Sequence, residues 1–198
     1  RMTTKDYNRL IQELLSKLAG KITQADEVVI DFLGSQTADS REWPGDEKVI
    51  QAMLDLPLYR LLTRGRLRMV LEGLEEAMRT DKAEKPNVHR GYLTIEHILP
   101  QEWRVNWPID LPDDPERYHR QIDTRERLKH TIGNLTLVTG KLNPLLSNAP
   151  WKDKQVGLQD HSTLFINKNL LKKWGAKSFG EEEIQERGKE LAKLALKV

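Results

Sequence analysis

The sequence predicts an α+β fold, mostly α, in which a helical body carries an inserted ββα unit. Three observations predict it. Apolar residues recur at helical spacing through the first 80 residues and the last 20, two short segments near 92–98 and 134–139 are rich in β-branched residues, and helical patterns follow the second of them. The implied organisation is an N-terminal helical part over 1–90, the ββα unit over 91–157, and C-terminal helices over 158–198 that pack back on the N-terminal part as one compact domain.

Taken in order, residues 5–19 place Tyr7, Leu10, Ile11, Leu14, Leu15 and Leu18 on one face and stop at Gly20. In "TQADEVVIDFLG", Thr23 and Asp26 read as a capping box and Gly34 as the end of a second helix. Asp46 caps a third that carries Val49, Ile50, Met53 and Leu54. Pro57 opens a fourth, with Leu58, Leu61, Leu62, Leu71, Leu74 and Met78 on one face. Tyr92–Ile98 reads as a strand stopped by Pro100. An irregular connection holding Trp103, Trp107, Pro108, Pro112 and Pro115 leads to a second strand in "NLTLVT". "GKLNPLLSN" is a turn or two of helix, a further helix starts at Pro150, and Ser178 with Glu181 caps a final one that turns Ile184, Leu191 and Leu194 inward.

Composition narrows the function. The chain has 198 residues, 38% hydrophobic and 31% charged, with 32 basic against 30 acidic residues and a net charge of +2. Mean hydropathy is −0.63. No apolar run approaches the roughly 18 residues of a membrane span, and the first residues lack an apolar signal region, so a cytoplasmic location is expected. The absence of cysteine excludes disulfides, thiolate zinc sites and cysteine nucleophiles. Any metal must take oxygen or imidazole ligands. Arg1 ahead of Met2 suggests a fragment of something longer, and there is no Walker-type glycine loop to bind nucleotide.

Chemistry concentrates in "TIEHILPQ" and "HTIGNLTLVTGKLNPLLSNAPWKDK". A ββα unit can hold one divalent ion against a phosphodiester, whose hydrolysis needs an activated water and charge neutralisation. A histidine of ordinary pKa, here His97, can take the water's proton near neutral pH. Mg²⁺ or Mn²⁺ prefers oxygen donors, and Glu96 and Asn143 are the available suppliers. Alone, His97 reads more readily as a satisfied structural histidine, Asn134 after Gly133 as turn chemistry, and Asn148 as a helix cap rather than a ligand.

Together, "IEHILPQ" and "IGNLTLVTGKLNPLLSNAPWKDK" resemble the HNH nuclease signature found in the C-terminal domain of GmrSD-type modification-dependent (type IV) restriction endonucleases, and the flanks on both sides are similar to that family's. The resemblance implies that His97 is the general base, that Asn134 braces the hairpin, and that Asn143 with Glu96 faces the metal. It implies a metal-dependent DNA endonuclease that nicks or cleaves, serves anti-phage defence, and works with an N-terminal nucleotide-hydrolysing sensor domain in the same or a partner chain. The rivals are a non-catalytic nucleic-acid-binding module of ββα shape and an RNA-cleaving nuclease.

Contacts to DNA are expected from Lys141, Lys152 and Lys154 beside the hairpin and from Arg64 and Arg68, although the cluster Arg60, Arg64, Arg66 and Arg68 also reads as a solvated helix face. Pro144 disfavours a regular helical conformation at Asn143. His130, close to the hairpin, has a substrate-binding reading but reads more readily as a polar surface histidine, and His89, His119 and His161 stand outside any motif.

Overall fold

A computed structural model describes residues 3–38, 40–79, 90–109 and 114–198, so His89 and Pro112 lie outside the described residues. The chain divides into two compact units, Arg1–Asp46 and Glu47–Val198. The first is a helical pair. Helix α1 (Thr4–Leu18) starts where the Thr3 hydroxyl accepts the amide of Asp6 at 3.2 Å, and it ends before Gly20, whose φ of 76° is the left-handed turn that glycine permits. Thr23 falls inside a single 3-10 turn, Ile22–Gln24, rather than at a capping box, and helix α2 (Ala25–Gly34) follows without a side-chain cap. Leu10 and Phe32 are the buried apolar residues here, and Arg41 reaches Glu13 at 3.2 Å.

Helix α3 (Asp46–Asp55) starts at the boundary, and all but its first residue belongs to the second unit. The single helix expected from Pro57 is two: α4 (Leu58–Leu61) and α5 (Arg64–Ala77). The chain breaks because Leu62 and Thr63 are extended and the Thr63 hydroxyl caps α5 through the amide of Arg66. Strand β1 (Leu93–His97) pairs antiparallel with β2 (Leu135–Thr139), His97 opposite Leu135 and Leu93 opposite Thr139. The connection between them is only partly irregular. It contains helix α6 (Pro115–Leu128), started by the Asp114 carboxylate on the amide of Glu116 at 2.9 Å with proline in the first turn. After β2 come α7 (Asn143–Leu146), α8 (Trp151–His161), α9 (Phe165–Trp174) and α10 (Glu181–Ala195). The cap of α10 is the Glu183 carboxylate on the amide of Gly180, not the Ser178–Glu181 pair.

Because strand side chains alternate, the hairpin has two faces, and each meets its own core. Leu93, Ile95, Leu135 and Leu137 join Leu67, Leu71 and Leu74 of α5 and Leu191 of α10. On the reverse, Val138 joins Leu142, Leu146, Leu158 and Leu170. The backbone of α10 lies so close to the turn before β2 that a side chain at Gly133 would fall 2.0 Å from the Ile184 carbonyl, and Arg187 donates to the carbonyls of Gly133 and Leu135 at 2.7 and 2.9 Å. Among the described residues no helix is long and apolar enough to cross a membrane.

Candidate active site

The site is built on the two ends of the hairpin that carry Asn134. This residue is fully buried; its Oδ1 accepts the amide of Leu99 at 2.7 Å, and its Nδ2 donates to the carbonyls of Leu99 and Lys129, both at 2.8 Å. Its own carbonyl accepts the amide of Ile98 at 2.9 Å. One side chain thus ties the exit of β1, immediately after His97, to the turn that enters β2. Each group it satisfies would cost about 1–3 kcal/mol if left buried and unpaired.

His97 points to the α5 face. It is 5% exposed, its ring edge meets Tyr59 with centroids 4.3 Å apart, and its Nε2 lies 3.3 Å from Nδ1 of His130. His130 is 2% exposed rather than a surface residue, and it stacks on the same Tyr59 ring at 5.7 Å and 9°. Arg64 lays its guanidinium over Tyr59, 3.4 Å from the ring centroid, and donates to the Tyr59 carbonyl. Burial first, then neighbouring His130 and the charges of Lys154, Arg64 and Lys129, push the His97 pKa down to about 3. Burial, with Arg60 and Lys129 next, pushes His130 down to about 4. Both imidazoles are held in the neutral form at pH 7, so His97 does not keep the ordinary pKa expected of it from the sequence, because burial disfavours its charged form. The Nδ1 of His97 has no hydrogen-bond partner among the described residues, yet it is not one of the unpartnered atoms sealed from solvent.

Glu96 points the other way. Its carboxylate is buried and takes the ammonium of Lys154 at 2.5 Å; the same ammonium donates to the His97 carbonyl at 2.6 Å. Burial raises the Glu96 pKa and lowers that of Lys154, while the ion pair opposes both shifts. Lys154, expected at a phosphate, is 1% exposed and cannot reach one from this position. Asn143 donates from Nδ2 to the Thr94 hydroxyl at 3.0 Å and to the Ile95 carbonyl at 3.4 Å. It opens α7 despite Pro144, because a proline in the first turn removes an amide that would have no helical partner anyway.

Of the other candidates, Lys141 and Lys152 are exposed beside the hairpin, Arg64 is exposed but belongs to the His97 cluster, and Arg68 is half-buried and paired with Glu72 at 3.5 Å. The residues expected in one site are thus split. Asn134 and His97 meet at the end of β1, whereas Asn143 and Glu96 lie across the strand from His97.

Whether a divalent ion suits this chain turns on the Glu96 face. Among the described residues no three His, Asp or Glu side chains cluster as a metal site. A hard cation that keeps several waters needs only one or two protein oxygens, however. Glu96 and the Asn143 amide oxygen, which accepts no hydrogen bond among the described residues, are of that kind and on one face. The donor chemistry fits, with Lys154 as the cation that now neutralises Glu96.

Tyr59 is not expected in the site from the sequence, and His130 only as a substrate contact secondary to a surface reading. His130 did carry a signal, standing four residues before Asn134 in the same motif stretch, but its burial depends on α4, which a reading of that stretch alone does not bring near.

Fold and site together define a mostly helical α+β domain whose antiparallel hairpin carries Glu96 and His97, with Asn134 at the turn into β2 and Asn143 on the helix that follows it. Residues 43–194 match the family model described as GmrSD restriction endonucleases, C-terminal domain, and the chain belongs to that family. Its function accordingly lies with restriction endonucleases. Comparison with curated proteins and with solved structures gives no significant match.

Proposed function

We propose that this domain is an HNH-type, metal-dependent endonuclease that hydrolyses phosphodiester bonds in DNA for a modification-dependent restriction system. Residues 91–157 form the nuclease unit. The observation that carries the proposal is the placement of His97: an imidazole at the end of a strand braced by Asn134, with the cations Arg64 and Lys129 near it. A base must be held in one position beside the attacking water, and a phosphodiester must have its charge met.

His97 takes the proton of the attacking water at Nδ1. Asn134 keeps the strand end in place, and Arg64, exposed next to the Tyr59 ring, meets the phosphate. Glu96 and Asn143 would hold Mg²⁺ or Mn²⁺, which supplies charge neutralisation at the phosphate when bound. Recognition of the modified base or backbone belongs to an N-terminal nucleotide-hydrolysing sensor domain, and the cytoplasm, where foreign DNA arrives, is the place of action.

The test is nicking of supercoiled plasmid with Mg²⁺, Mn²⁺ or EDTA, run beside His97→Ala. Losing a general base removes on the order of 10²–10⁴ in rate. Cleavage should vanish in EDTA and fall by at least a hundredfold in the variant, with circular dichroism unchanged. A variant that keeps more than about a tenth of the rate rejects His97 as the base. DNA binding without cleavage under every metal condition would instead favour a non-catalytic module, and faster cleavage of RNA competitor an RNase.

A further inference from the structure

We infer that His130 is a positioning residue for His97: its Nδ1 accepts the Nε2–H of His97, which leaves Nδ1 of His97 as the nitrogen that faces water. The inference rests on His97 being the base of the proposed hydrolysis.

The two ring nitrogens lie 3.3 Å apart, and a neutral imidazole has one donor and one acceptor. Only two arrangements make this hydrogen bond. If His130 donated, His97 would carry its proton on Nδ1, and neither of its nitrogens would have a lone pair free for water. If His97 donates, its outward nitrogen is the unprotonated one. That nitrogen is also the one without a protein partner and not sealed from solvent.

The surroundings hold both rings in this relation. Tyr59 stacks on His130 and meets the edge of His97, and its amide donates to the His130 carbonyl at 3.2 Å. Asn134 grips Lys129, the residue before His130, and Leu99, two residues after His97. One buried amide therefore sets the backbone under both histidines. Around the pair, Arg60, Arg64 and Lys129 disfavour a second proton on His130, which would put two donors face to face.

In the reaction, water's oxygen bonds to phosphorus as its proton passes to Nδ1 and the bond to the leaving oxygen breaks. The leaving oxygen takes a proton from solvent, and His97 later returns its own to solvent. His130 moves no proton; it keeps the ring of His97 in one tautomer and one orientation.

The experiment is ¹⁵N imidazole NMR on the whole chain at neutral pH without metal or DNA, joined to steady-state cleavage of plasmid. The wild-type spectrum should show His97 protonated at Nε2 and bare at Nδ1. His130→Phe should abolish that single-tautomer signature and lower kcat about tenfold with KM nearly unchanged, a smaller loss than removal of the base itself. His130→Asn, whose Oδ1 falls near the lost Nδ1, should restore much of both. An Nδ1-protonated His97 in the wild type overturns the inference, as does a His130→Phe protein with unchanged tautomer and rate. Should the Phe variant not fold, the wild-type spectrum and the Asn variant decide. The tautomer is read without turnover, so active His97→Ala protein would sink the proposed mechanism separately from the result on His130.

Discussion

Glu96 and His97 are joined by one peptide bond and yet live in opposite environments. His97 faces the core of α5, where burial and cations deny it a proton, and Glu96 faces α8, where a buried ammonium keeps its charge. The alternation of a strand alone puts them there. The difference teaches how one short hairpin can offer a neutral base on one side and an anionic oxygen on the other at the same pH. It also shows that burial governs both, lowering the His97 pKa and raising that of Glu96, and that Lys154 acts on the two together.

The largest way to break this arrangement is Lys154→Met. It leaves Glu96 buried without its counter-charge, which costs about 3–5 kcal/mol when one partner of a buried pair is removed. Urea unfolding should show a loss of that size, and Glu96→Gln in the same chain should recover most of it. Mn²⁺ sharpens the test. If Glu96 is a ligand, Mn²⁺ should raise the Tm of Lys154→Met far more than that of the wild type; equal shifts in both would remove Glu96 from the ligand set.

How much of this was legible in the sequence varies by element. The hairpin, α1, α8 and α10 follow from apolar period and punctuation. Helix α6 did not, because "PERYHRQIDTRERL" offers almost no apolar stripe, although Asp114 before Pro115 is a helix start that could have been read. Lys154 is expected at DNA from the sequence and is instead buried. Its spacing from Trp151 and Leu158, three and four residues away, puts it on the inward face of α8, but only the packing of that helix over Glu96 shows why a charge can sit there. Asn134 was legible as a brace because its chemistry is local to the hairpin. The His97–His130–Tyr59 cluster was not, since it joins segments that only the tertiary fold brings together.

On the histidine face the comparison can be sharpened with acid. Both rings have folded pKa values, about 3 and about 4, below the 6.5 of an unfolded histidine. The unfolded chain therefore binds more protons, so this stability is fully present above pH 6.5 and is lost progressively as pH falls from there toward 4 and 3. Between pH 7 and 6 the loss should be about 1.4 kcal/mol for the two rings together. Urea midpoints measured across that interval should fall, and His130→Phe should remove roughly half of the slope. A flat profile in the wild type would mean that the rings are not held neutral.

The smallest effect separates Arg64 from Arg68, which share a helix and differ in what they touch. Arg64 begins the stripe continued by Leu67 and Leu71, so it stands at the edge of the buried face, over Tyr59 and near His97. Arg68 lies off that stripe and is already paired with Glu72 at 3.5 Å. Binding to duplex DNA by a domain of net charge +2 should be phosphate-driven, and log affinity then falls with log salt by roughly 0.9 per phosphate neutralised. A footprint of about three to five phosphates would give a slope near −3 to −4. Arg64→Ala should make it shallower by about one unit, because a contact beside the base is lost, whereas Arg68→Ala should leave it in place. Fluorescence anisotropy over a salt series reads both. Equal changes in the two variants would show that the helix acts only as a diffuse positive surface. No change in either would move the phosphate contacts to exposed Lys141 and Lys152, on the side of the hairpin that Glu96 faces, and would leave the His97 face without a hold on DNA.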